Sequence, residues 1–222
     1  MPETPSQESL RQMAAAGCPR LPEVPGVSFP PGLDKTLPTP DQKACLALWD
    51  RYGVPEHIRN HSRQVTRVML DAGELLRNRG RDLMPPYLLA GGLLHDLAKM
   101  YTIKHGGDHA QLGAAVVLRE TRNPLVAQMV YHHVGWPWRV DITNDHALHV
   151  LLAGYADKRV QHDRIVSLEE RFADLLERYG KTERSRNSLA HAFLQAKEIE
   201  TKLSELLEVA LHEYSFNSRR LV

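Results

Sequence analysis

Cysteine is nearly absent from this 222-residue chain, with only Cys18 and Cys45 present. Two cysteines build no disulfide framework, and no CxxC spacing exists to hold zinc or run redox chemistry, so the chain reads as a reduced, cytoplasmic protein. Excess charge of one sign is missing as well: 28 Lys and Arg stand against 27 Asp and Glu. That balance gives no global pull towards nucleic acid or an anionic membrane. No apolar run approaches the ~18 residues of a membrane span. Ala15-Ala16-Gly17-Cys18 resembles the end of a lipoprotein signal, but no hydrophobic segment precedes it, and that reading is set aside. A GxSxG elbow, a P-loop and a serine in triad context are all lacking, which argues against a protein nucleophile. Histidine, by contrast, is plentiful at 12 residues, several of them inside apolar patterns, which points to metal or acid–base chemistry.

Proline and glycine divide the chain. Residues 1–40 carry nine of the 14 prolines with no helical or alternating period, and are expected to form an extended or disordered arm. From residue 41 the pattern is helical. A short helix around Ala44 to Trp49 is stopped by Gly53, and Pro55 opens a second in which Ile58, His61, Val65, Val68 and Ala72 follow steps of three and four. Pro85-Pro86 opens a third, expected over 86–100. Asp108 caps a helix beginning at His109, and Asn123-Pro124 start one that ends at His132-His133. Asn144 precedes an almost wholly apolar helix that carries Asp157. Ser167 and Glu170 form a capping box for a helix ended by Gly180, and a last helix is expected from about residue 182 to 214. Its stripe of Leu189, Phe193, Ala196, Leu203 and Leu207 suits packing first and dimerisation second. No strand candidate of comparable quality appears. The expected fold is all-α: an arm (1–40), a helical domain (41–180) and a C-terminal helix (181–222) packed on the domain or on a partner subunit.

The stretch 91–100, GGLLHDLAKM, puts His95 and Asp96 inside an apolar run. A buried carboxylate must be paired, hydrogen-bonded or metal-bound. Gly91 and Gly92, each costing ~1 kcal/mol relative to alanine within a helix, suggest a second backbone packed close by. Five buried helices each turn an imidazole or carboxylate inwards: His61, His95 with Asp96, His109, one of His132 and His133, and Asp157. A shared metal explains that coincidence, and mixed nitrogen and oxygen donors suit first-row divalent ions such as Fe, Mn, Co, Ni or Zn.

The order His61, His95-Asp96, Asp157 resembles the HD-domain superfamily of metal-dependent phosphohydrolases. "LLHDLAK", "HSRQV" around His61 and "YADK" around Asp157 carry the likeness, over roughly residues 41–178. The resemblance implies that His61, His95, Asp96 and Asp157 hold one metal, while His109 and His132 match the additional histidines of dinuclear members, with Asp96 bridging. His132 is preferred to His133 on its "YH" step, leaving His133 either to support a ligand from behind or to touch substrate. Lys99 falls where similar proteins place a lysine near the scissile phosphate. Lys104, Lys158 and Arg159 are further, weaker candidates for substrate contact.

What the resemblance implies is a phosphohydrolase that uses metal-activated water on a nucleotide or related phosphorylated small molecule, with one or two ions and no membrane or nucleic-acid partner indicated. Two other readings stand beside it: a di-iron oxygenase on the same ligand set, and a non-catalytic nucleotide sensor. Gly135-Trp136-Pro137 departs from the GYP element of the superfamily's cyclic-dinucleotide branch.

Overall fold

The computed structural model describes residues 33–216. Its helices are α1 (Gln42–Arg51), α2 (Glu56–Asn78), α3 (Pro85–Leu94), α4 (Lys99–His105), α5 (His109–Thr121), α6 (Pro124–His132), α7 (Asp145–Lys158), α8 (Leu168–Tyr179) and α9 (Glu183–Leu207). The fold is all-α apart from one small antiparallel hairpin between α7 and α8, β1 (Val160–Gln161) with β2 (Arg164–Ile165). The sequence reading missed this hairpin, since two-residue strands are too short to show alternation. His162, in its turn, takes the left-handed conformation with φ 57°.

The expected caps are present. Asp108, Asn123 and Asn144 each accept from backbone amides at the starts of α5, α6 and α7, and Ser167 with Glu170 closes a capping box on α8. Two apolar clusters explain why α3 has no polar face. Leu88 belongs to the larger cluster with α2, α6, α7, α8 and α9, whereas Ala90, Leu93 and Leu94 belong to the smaller one with α1, α5 and α6. The backbones of α2 and α3 meet at Gly92, where a methyl group would lie 2.8 Å from Thr66 Cα. Glycine is required there.

Three expected boundaries move. The predicted helix over 86–100 is broken: α3 ends at Leu94, and residues 95–98 form turns before α4. The carbonyl of Gly92, which a continuing helix would pair with the Asp96 amide, instead accepts from His95 Nδ1 at 2.8 Å, and that of Leu93 accepts from Trp49 Nε1 at 2.8 Å. Side chains thus take over the acceptors at the end of α3. The ordered domain also starts before residue 41. Leu33 and Leu37 pack on the core, Tyr87 Oη donates to Asp34 O at 2.6 Å, and Asn123 Nδ2 donates to Thr39 Oγ1 at 3.1 Å. The rest of the proline-rich arm, 1–32, lies outside the described residues. Finally, α9 stops at Leu207 with left-handed Glu208 as C-cap, and its Phe193, Ala196, Leu203 and Leu207 enter the chain's own core. No described helix is long and apolar enough to cross a membrane.

Candidate metal centre

Asp96 is the hinge of the site, its two oxygens facing different groups of imidazoles. Oδ2 lies 3.5 Å from His95 Nε2 and 4.0 Å from His61 Nε2, whereas Oδ1 lies 3.5 Å from His109 Nε2 and 3.6 Å from His133 Nε2. His61 Nε2 is also 3.0 Å from Asp157 Oδ1, and His95 Nε2 is 3.8 Å from that oxygen. The donors come from α2 (His61), the turn after α3 (His95, Asp96), the first residue of α5 (His109), the end of α6 (His133) and the last turn of α7 (Asp157). Each is fixed by an element that the core clusters hold.

Three of the four imidazoles are oriented the same way. His95 Nδ1 donates to Gly92 O at 2.8 Å, His133 Nδ1 to Val130 O at 2.6 Å, and His61 Nδ1 to His162 O at 3.0 Å. A proton held on Nδ1 leaves the Nε2 lone pair directed into the site, as metal-ligating histidines require. His95 and His133 use one local device: each follows the last residue of a helix and caps the carbonyl three residues back.

The donor set fits divalent ions on two observations. First, His95 Nε2 and Asp96 Oδ1 are buried without a hydrogen-bond partner among the described residues. Such atoms are costly unless a ligand completes them. Second, the spacings match: neighbouring ligands of an ion with ~2.0–2.2 Å bonds stand ~3.0–3.6 Å apart, and His109 and His133 present Nε2 atoms 3.2 Å apart, each about 3.5 Å from Asp96 Oδ1. His61, His95 and Asp96 form one group able to hold a metal, and Asp96, His109 and His133 a second.

Electrostatics favour the ligating forms of the carboxylates and of His133. Burial pushes the Asp96 carboxyl up, but His95, Lys99 and hydrogen bonds override it and hold the group well below the usual carboxylate range. Asp157 is likewise held well below that range: burial is opposed by Lys158 and by the contact with His61. Burial pushes His133 down to about 4 and lowers His109 as well. Lys99 Nζ donates to Asp96 Oδ2 at 2.7 Å. Burial would lower its pKa, but Asp96 raises it, so Lys99 is a fixed cation.

The expected ligand His132 is not here. Its ring packs edge-on against Trp136 and Trp138, at 5.3 and 5.1 Å between centroids. Helix phase does not decide the choice: Leu125, Met129 and His132 run at the same steps of four and three as Val126, Val130 and His133, and all four of these apolar residues are buried. Trp136 is a strut, exchanging hydrogen bonds with Gln195 of α9 through both its amide and its carbonyl. Of the expected substrate contacts, Lys158 Nζ holds Asp157 Oδ2 at 2.7 Å and His133 O at 3.0 Å. Arg159 is turned away. It is buried, donates to Tyr155 Oη, Val166 O and Leu211 O, and anchors the segment after α9. Lys104 is exposed on α4 and lines no part of the cavity over the centre.

That cavity, of about 600 Å³, opens on His61, His109, His133 and Asp157, with Lys99 and Lys158 on its wall. Arg171 and Arg178 of α8 line it as well, and neither stands in a recognisable motif. Arg171 had a signal of its own: with Leu168, Phe172 and Leu175 it falls at helical steps of three and four.

Comparison with known proteins agrees with this geometry. The chain is 31% identical over 96 residues to a tRNA (cytidine(56)-2'-O)-methyltransferase of Thermoplasma volcanium, a stretch covering 43% of this chain and 26% of that protein. The chain therefore spans about a quarter of that relative's length. No solved structure matches. The HD domain profile matches residues 58–179, more than half of the sequence and all of the residues around Asp96, and the chain belongs to the HD-domain family.

Proposed function

We propose that the protein is a metal-dependent phosphohydrolase acting on a phosphorylated small molecule, a nucleotide or a relative of one. The observation that carries this reading is the division of Asp96 between two imidazole groups, with Lys99 beside it and a cavity above. Two divalent ions in these groups would supply Lewis-acid polarisation of a phosphoryl oxygen and a water acidified for attack. The chain's own residues do the rest. Asp96 and Asp157 stay ionised to hold the cations, and the Nδ1-anchored imidazoles keep the donor atoms fixed. Lys99, 28% exposed at the cavity wall, places a permanent positive charge where a phosphoryl group gathers negative charge. No protein nucleophile is needed.

The methyltransferase relative shares only a quarter of its length with this chain, so methyl transfer is not assigned. The test is to strip the protein with chelator, assay phosphate release over a nucleotide panel, and then restore Mn, Fe, Co, Ni or Zn in turn. Loss and recovery of hydrolysis support the reading; hydrolysis that survives complete metal removal overturns it.

A further inference from the structure

Arg171 is an anomaly on the cavity wall. It is only 6% exposed, and among the described residues its one hydrogen bond runs from Nη1 to Asp174 Oδ2 at 3.1 Å. Nε is buried and unpartnered among the described residues. A guanidinium has five N–H donors in a planar fork, and burying even one of them unused is costly unless something arrives to accept it. Asp174 does not balance the charge, because the same Oδ2 also accepts from Arg178 Nη2 at 2.5 Å. One carboxylate therefore serves two guanidiniums. By contrast, Lys99 and Lys158 each have a carboxylate of their own, in Asp96 and Asp157. The other acid on the cavity wall, Asp163, is exposed in the hairpin turn.

The placement is rigid and close to the chemistry. Arg171 lies between Leu168 and Phe172, both fully buried, so α8 holds its backbone firmly. Its positive charge is felt at both Lys99 and Asp157. A planar fork fits a phosphoryl group bidentately, which an ammonium does not.

We infer that Arg171, assisted by Arg178, is a second phosphate site of the cavity, receiving a phosphoryl group of the substrate other than the one under attack. This rests on the phosphohydrolase reading and narrows it: the preferred substrates carry two phosphoryl groups. Leu175 and Leu189 also line the cavity and offer apolar surface for the organic part.

The test is calorimetric binding of AMP, ADP and adenosine 3′,5′-bisphosphate to metal-loaded wild type and R171Q, with thermal melts to confirm folding. In the wild type at least one two-phosphate ligand should bind at least ~10-fold more tightly than AMP, the gain expected of hydrogen bonds to a charged donor. In R171Q that margin should collapse to about twofold with AMP affinity nearly unchanged, and R171K should recover only part of it. If R171Q does not fold, R178Q carries the test and should cut the margin about threefold. A margin absent from the wild type, or intact in the arginine variants, overturns the inference. An arginine-dependent margin in a protein that hydrolyses no phosphate ester would sink the hydrolase reading alone.

Discussion

His109 Nε2 stands 3.2 Å from His133 Nε2, and both face Asp96 Oδ1. With the proton of His133 committed to Val130 O, its Nε2 offers a lone pair, so His109 must either supply a proton or share a cation with it. The cation reading makes a direct prediction. His133→Ala should lower bound metal from two ions per chain to one, and His132→Ala, on the aromatic face, should leave both. Metal content by mass spectrometry decides. Equal losses in the two variants would remove His133 from the site.

Asp96 predicts a larger loss. Because its two oxygens serve two imidazole groups, Asp96→Ala should empty both and abolish hydrolysis together, whereas His109→Ala should empty chiefly the more exposed group. Full metal content in Asp96→Ala would rule out a bridging role. Asp96→Asn sharpens the test, since it keeps the shape but weakens the ligand, and should hold metal poorly at best.

How much of this could be read in the sequence depends on the length scale of each signal. Caps at Asp108, Asn123 and Ser167 rest on local chemistry, so their positions were legible. The close approach at Gly92 was legible too, because glycine inside a helix has few other reasons. The break after Leu94 was not: it depends on Trp49, far away in sequence, taking the Leu93 carbonyl. Likewise Lys158 and Arg159 are neighbours with the same charge, and only the fold sends one to Asp157 and the other to Tyr155 and Leu211. The inward series through His61 was visible as periodicity. The same rule singles out Arg171 in α8, but in α6 it fits His132 and His133 equally.

Lys99 separates charge placement from metal binding. Its amine touches Asp96 but occupies none of the imidazole positions, and its pKa is raised, so it acts as a fixed cation and not as a proton donor. On any phosphate ester that the metal-loaded protein hydrolyses, Lys99→Met should lower kcat about 10²-fold with metal content kept. Lys99→Arg should retain part of the rate. The logarithm of the residual rate should show no new inflection with pH between 6 and 9. A rate unchanged in Lys99→Met would confine the lysine to neutralising Asp96.

His149 predicts acid sensitivity away from the metal centre. It is fully buried on α7, its Nδ1 donating to Asp145 O at 2.6 Å and its Nε2 accepting from the Met84 amide at 2.9 Å. Only the neutral ring can do both. Burial therefore pushes it down to about 4; the charges facing it are His146, Asp145 and Asp82, and Tyr87 lies against its ring at 6.1 Å. Because the folded pKa is depressed, the unfolded chain takes up a proton near pH 6.5 that the folded protein refuses. Stability from this group is complete above about 6.5, declines as pH falls, and is exhausted near 4, a loss of up to roughly 3 kcal/mol. His149→Gln keeps an acceptor and a donor but cannot titrate. Urea unfolding of metal-loaded protein at pH 7.5, 6 and 5 should show wild type losing stability more steeply than the variant, by about 1 to 2 kcal/mol at pH 5. Parallel losses would mean that His149 is protonated within the fold, and that the Met84 amide has lost its acceptor.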